Sequence, residues 1–164
     1  MGKFLTSASR IIQLPQKGQY KLVDNELYKD DDNKIYIAWR GFQTDNFTWI
    51  KSSDWDIRCS HQHDVGCLYH SIVEVILTEE ELIQKGYLRR FGDIMVCEDI
   101  PKEYLKIKNI TGHEVNNLFY RTLKSADCPK TPKYIQYLYR AGVSFNLNWF
   151  RTGKVKIYLE NLYK

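Results

Sequence analysis

The chain has 164 residues, 43% of them apolar, and a net charge of +4. That length suits a single domain with a real hydrophobic core. No apolar run approaches the roughly 18–20 residues of a membrane span, and the charge is too small and too dispersed among Asp and Glu to point to specific nucleic-acid binding.

Residues 1–19 show no clear period and read as an N-terminal arm ahead of one α+β domain over 20–164. Met1-Gly2-Lys3-Phe4-Leu5-Thr6 lacks the long apolar core of a secretion signal. Phe4, Leu5, Ile11, Ile12 and Leu14 give this arm enough apolar surface to anchor on a neighbouring protein. Tyr20–Tyr28 reads as a strand, Asp30-Asp31-Asp32-Asn33 as a polar turn, and Lys34–Phe42 as a second strand of alternating character, together an N-terminal β-hairpin. The acidic turn lacks the glycine and distal glutamate of a calcium loop.

Residues 43–53 form a loop in which Ser53 can cap the next helix, and Asp54 and Asp56 suit the positive end of that helix. This helix is expected from Asp54 to about Leu77. Its second half, Ile72-Val73-Glu74-Val75-Ile76-Leu77, is rich in β-branched residues and also fits a strand. Thr78 with Glu81 makes a capping box for a short helix closed by Gly86. Ile94–Cys97 and Tyr104–Ile110 read as strands. Thr111 with Glu114 makes a second capping box, opening a helix over about 112–125 whose stripe Val115, Leu118, Phe119, Thr122 needs a packing partner, expected to be the helix carrying His63. Thr131-Pro132 starts a third helix reaching about Ala141. Lys154–Glu160 alternates and predicts a C-terminal strand, with Lys154 and Lys156 on its solvated face.

Chemistry concentrates in Cys59-Ser60-His61-Gln62-His63-Asp64-Val65-Gly66-Cys67-Leu68-Tyr69-His70, which holds three of the four histidines and two of the four cysteines. On a helix Cys59, His63 and Cys67 share a stripe, with His70 beyond. One straight helix directs about two side chains at one ion, and Cys97, Cys128 and His113 offer no second ligand pair with metal spacing, so a zinc site is not expected. The four cysteines show no paired spacing and are expected as reduced thiols. His63 and Asp64, about 100° apart on a helix, are expected not to pair with each other but to serve one site in two roles. The imidazole would take a proton while the carboxylate holds a hard cation. Asp45 could add an oxygen to that cation, and Asn116, Asn117 or Glu114, on the helix opened by Thr111, could orient the His. Trp49 and Trp55 flank the cluster, as a core wall or as a docking surface.

In chain order, Phe42-Gln43-Thr44-Asp45-Asn46-Phe47-Thr48-Trp49-Ile50, then His63-Asp64 followed by Tyr69, then Val115-Asn116-Asn117-Leu118-Phe119, then Tyr134–Gly142 form a succession. It resembles a bacteriophage and prophage family of unknown function. That family's signature runs F-x-T-D-G-A-S-I-P, a helix with H-D-x-x-Y, A-D-x-x-F, and a last helix rich in Tyr, Arg and Ala. The resemblance covers about residues 35–150, with 71–110 as an insertion. It implies a phage structural or assembly protein, a head, neck or tail component that binds other virion proteins in an oligomeric assembly. Phe4, Ile11, Trp49 and Trp55 would be its contact residues, and its location the virion or the host cytoplasm during assembly.

The His–Asp helix facing a second helix also looks like the phospholipase A2 arrangement. That likeness implies a Ca²⁺-dependent hydrolase of lipid or cell-envelope esters, with His63, Asp64 and Asn116 as catalytic residues and Asp45 and Asp64 on the metal. The chain departs from both patterns. An amide at Asn116 cannot stabilise an imidazolium as an anion would. Asn46, Phe47 and Trp49 replace the small and rigid residues of the first motif. The scaffold reads as retained and the site as degenerate, with no cofactor expected outside the hydrolase reading. A small inhibitor of a host defence protein is a third reading.

Overall fold

The computed structural model describes residues 1–7, 10–44, 57–125, 133 and 155–164. The fold is α+β. Among the described residues its main sheet is antiparallel with five strands, in the order β1 (Lys3–Phe4), β4 (Glu26–Lys29), β5 (Ile35–Ala38), β7 (Ser71–Val75) and β10 (Leu105–Asn109). A second sheet joins β2 (Ile11–Gln13), β3 (Tyr20–Leu22) and β6 (Gln43–Thr44), and β8 (Leu88–Phe91) pairs with β9 (Ile94–Cys97) as a separate hairpin. The described residues include the helices α1 (Arg58–Tyr69), α2 (Glu79–Gln84) and α3 (Gly112–Leu123).

The β4–β5 hairpin forms where the alternation puts it, with Leu27 opposite Ile37 and Tyr28 opposite Tyr36. Its acidic turn satisfies itself. Asp30 N–H donates to the Lys34 carbonyl at 2.8 Å, the Asp32 carboxylate accepts from Lys34 N–H at 3.1 Å, and Asn33 takes the left-handed conformation at φ 66°. The hairpin buries both faces. Tyr28 and Tyr36 join Phe4, Cys59, Ile72, Val115, Leu118, Phe119 and Leu123 in a core beneath α1 and α3. Leu27, Ile35, Ile37, Val73 and Val75 join Leu82 of α2, Leu88 and Cys97 of the β8–β9 hairpin, and Ile157 and Leu162 in a second core. Each large apolar side chain so buried contributes about 1.5–3 kcal/mol.

Both capping boxes are formed. Thr78 Oγ1 accepts from Glu81 N–H while Glu81 bonds back to Thr78 N–H, and Thr111 and Glu114 do the same at the start of α3. Gly86 closes α2 at φ 82°. Arg121, in the last turn of α3, grips the buried Asp30 with two nitrogens at 2.8–3.1 Å and so ties α3 to the hairpin turn.

Several expectations need correction. The helix expected to reach Leu77 ends at Tyr69, where His70 turns left-handed at φ 50°, and the β-branched run 72–75 is a strand between β5 and β10. A slot in the sheet, open on both faces to apolar neighbours, outweighs helical continuation for such residues. Residues 71–110 supply this interior strand and the edge strand β10. Residues 1–19, expected as an arm, are woven into both sheets through β1 and β2. Phe4 and Leu5 are buried in the chain's own cores rather than offered to a neighbour, and Leu5 N–H donates to the Leu27 carbonyl at 2.9 Å. Ile11 is half-buried against the second core.

The expected C-terminal strand is also absent from residues 155–164, which carry a 3₁₀ turn at Leu159–Asn161. This segment is held by side chains rather than by a ladder. Ile157 and Leu162 enter the core, and Tyr163 Oη donates to the Ile100 carbonyl and accepts from Ile100 N–H, both at 3.0 Å. Gly41, at φ 94°, lets Lys164 pass; a Cβ there would sit 2.6 Å from the Lys164 carbonyl oxygen. Ser53, Asp54, Asp56 and nearly all of the third helix lie outside the described residues. No helix among the described residues is long and apolar enough to cross a membrane.

Candidate functional site

α1 lies across the sheet face that carries Tyr28 and Tyr36 and packs on α3, as the apolar stripe of α3 requires. The two helices touch at Gly66, where a Cβ would stand 2.2 Å from Val115 Cγ2. Glycine is what permits this approach. The contact brings the His63 ring to 4.8 Å, centroid to centroid, from Phe119.

Around His63 the geometry is local. Cys67, one turn on, places Sγ beside the ring, 3.4 Å from His63 Nε2 and 3.9 Å from Nδ1. Asp64 turns back so that Oδ1 lies 3.7 Å from His63 Nδ1, which corrects the expectation that neighbouring residues would not pair. Helical phase sets where Cβ points, but the χ angles of two long side chains close the remaining gap. The other Asp64 oxygen accepts a 2.5 Å hydrogen bond from Thr44 Oγ1 at the end of β6. Thr44, Asp64, His63 and Cys67 therefore form one chain of contacts from a strand to the C-terminal half of α1.

The His63 side chain is only 14% exposed. Burial disfavours its charge, but the Asp64 carboxylate and the Cys67 sulfur outweigh burial and raise its pKa from 6.5 to about 10.

Asn116 does not join this chain. Its Oδ1 is buried without a hydrogen-bond partner among the described residues, as are both polar atoms of Gln62. Of the residues expected in the triad, His63 and Asp64 come together, with Cys67 of the same helix beside them. Both Asp64 oxygens face protein groups, and among the described residues no three His, Cys, Asp or Glu side chains converge as a metal site. Asp45, Trp49, Trp55 and Cys128 lie outside the described residues. Cys59, Cys67 and Cys97 are in the thiol state. Burial, reinforced by Asp99 and Glu98, pushes the Cys97 thiol well above its ordinary range.

One pair escapes a reading of the sequence. His61, fully buried, sets Nδ1 2.7 and 2.9 Å from the two carboxylate oxygens of Glu26, itself fully buried on β4. Arg58, one turn earlier, donates to the Thr6 carbonyl and lies 4.3 Å over the Phe4 ring. The only local signal for the first pair is Glu26 standing on the same strand face as Tyr28, where an apolar side chain would be expected.

Compared with known proteins, the chain matches no family model, no curated protein and no solved structure.

Proposed function

We propose that this chain is a bacteriophage structural or assembly protein that binds other virion proteins and carries a degenerate hydrolase-like site on α1. The observation that carries the reading is the state of His63. A general base for water must be neutral and must present a nitrogen to that water. His63 instead has the Asp64 carboxylate 3.7 Å from Nδ1, the Cys67 sulfur 3.4 and 3.9 Å from its two nitrogens, and a raised pKa. The helix keeps the residue types of a hydrolytic site without their working arrangement. The order of the motifs along the chain supports the phage assignment and, with it, a place in the virion or in the host cytoplasm during assembly.

Binding within a particle needs apolar surface outside the core. Phe91, 65% exposed, and Ile94, 45% exposed, stand at the tip of the β8–β9 hairpin around Gly92-Asp93 and offer such a surface. The test is the protein content of purified particles. The chain should be present, changing Phe91 and Ile94 together to Ser should lower its incorporation, and His63→Ala should leave incorporation intact. Absence from particles would overturn the reading.

The Ca²⁺-dependent hydrolase is the second reading. It is favoured by the Thr44–Asp64 contact, which holds in place the carboxylate expected on the cation. Ester hydrolysis that requires Ca²⁺ and is lost in His63→Ala would establish it in place of the first.

A further inference from the structure

We propose that the outer edge of β10 binds an extended segment of another protein in which acidic and apolar residues alternate, taken up as an added antiparallel strand of the main sheet. This surface is separate from the tip of the β8–β9 hairpin and does not rest on a place for the chain in a particle.

The phase of the ladder carries the inference. Ile76 N–H donates to the Tyr104 carbonyl at 2.9 Å, and Ile110 N–H donates to the His70 carbonyl at 3.0 Å, at the two ends of the β7–β10 pairing. Hydrogen-bonded pairs alternate along an antiparallel ladder. Lys106 stands opposite Glu74 and Lys108 opposite Ile72. The backbone of Lys106 and Lys108 therefore bonds to β7, and that of Leu105, Ile107 and Asn109 points the other way. Leu105 N–H donates to the Lys102 carbonyl. Among the described residues nothing meets the Leu105 carbonyl, or the N–H and carbonyl groups of Ile107 and Asn109. The sheet ends there in a row of unused donors and acceptors, the template for strand addition. Its other end, β1, is two residues long.

The side chains select the occupant. Lys106 and Lys108 share one face of the strand, and neither forms an ion pair among the described residues, although Glu74 stands opposite Lys106. Ile107, on the other face, is half-buried on the rim of the second core, as are Tyr104 and Tyr87. A second copy of the chain fits poorly. Pairing the edge with itself about Ile107 sets Lys106 against Lys108 of the second copy, twice, and like charges directly opposite each other destabilise a sheet. Lysines keep two like edges apart in this way. They do the reverse for an incoming strand with carboxylates opposite Lys106 and Lys108. Those positions are non-hydrogen-bonded pairs, in which cross-strand side chains come closest. The residue between them lands on Ile107, where an apolar side chain extends the second core. The complementary segment thus reads acidic, apolar, acidic.

The test uses the full chain, labelled with ¹⁵N, and the capped peptide Thr-Glu-Val-Glu-Thr. Titration should shift the Ile107 and Asn109 amide signals saturably, with the millimolar affinity of a single short strand, and slow their hydrogen exchange. The capped peptide Thr-Lys-Val-Lys-Thr should bind the parent chain about tenfold more weakly or worse. Lys106→Glu combined with Lys108→Glu should reverse that preference. Ile107→Pro should abolish binding while the fold stays, because the lost N–H points away from β7 and an edge strand accepts proline there. Equal binding of the two peptides by the parent chain, or no saturable shift at Ile107 and Asn109, would overturn the proposal, and neither result needs a variant. So would a parent chain that sediments as a dimer and becomes a monomer in Ile107→Pro, since the edge would then belong to a second copy.

Discussion

Gly66→Ala tests the closest contact of α1 with α3. An added methyl would stand 2.2 Å from Val115 Cγ2, 3.3 Å from Val115 Cβ and 3.6 Å from Ile72 Cγ2. An exposed helix would gain about 0.8–1 kcal/mol from replacing glycine by alanine. Here overpacking opposes that gain. Relieving a 2.2 Å contact takes a shift of more than an ångström between two packed helices, a strain at or above the upper end of the ~1–3 kcal/mol cost of an extra core methylene. The net expectation is a loss of about 2 kcal/mol, or roughly 4–8 °C in melting temperature for a chain of this size. Val115→Ala alone should also destabilise, by about 1–2 kcal/mol of lost burial. In the double variant the clashing methyl is gone, so the two losses should fall short of adding by about 1 kcal/mol or more. Urea melts of the four proteins measure this directly. A Gly66→Ala protein that melts at or above the parent temperature, or strict additivity, would show that α1 and α3 do not meet at this point.

Three further outcomes are expected. His61→Ala removes the partner 2.7 Å from the buried Glu26 carboxylate and should cost about 3–5 kcal/mol by chemical denaturation, with part of it recovered when Glu26 is also changed to Leu; a cost under 1 kcal/mol would mean the pair contributes little. Because the His63 pKa is raised on folding, its contribution to stability is complete below about pH 6.5 and is lost as pH rises towards about 10. The fall in urea midpoint over that window should therefore be shallower in His63→Asn than in the parent, and identical slopes would exclude the charged pair. Thr111→Ala removes the side chain that accepts from Glu114 N–H and should cost about 1 kcal/mol through α3, visible as an earlier thermal transition.

The parts of the fold legible in the sequence are those fixed by neighbours along the chain. The β4–β5 hairpin follows from alternation and a turn that bonds to itself. The two capping boxes follow from Thr and Glu at the required spacing, and the buried face of α3 follows from Val115, Leu118, Phe119 and Thr122. What escaped depends on partners remote in sequence. The run 72–75 was open to helix or strand until the slot between β5 and β10 decided it. The alternation at 155–160 reflects a segment with Ile157 buried and Val155 exposed, pinned by Tyr163, and not a hydrogen-bonded ladder. At the site, His63 and Asp64 were legible as chemistry. Cys67 beside His63 was legible as well, since the two share a helical stripe, but Glu26 lies 35 positions from His61 with nothing local to connect them.

The Tyr163 clasp has a kinetic side. It joins residues 63 positions apart at Ile100, while Lys164 closes over Gly41 near the opposite end of the sequence. Closing loops this long is entropically costly and comes late, after hairpins and helix turns have formed. A contact absent from the transition state governs how fast the native state comes apart, not how fast it assembles. Tyr163→Phe should therefore leave the refolding limb of a chevron plot in place and raise the unfolding limb. The clasp acts as a latch on the lifetime of the fold, and a matching slowdown in refolding would show that it closes early instead.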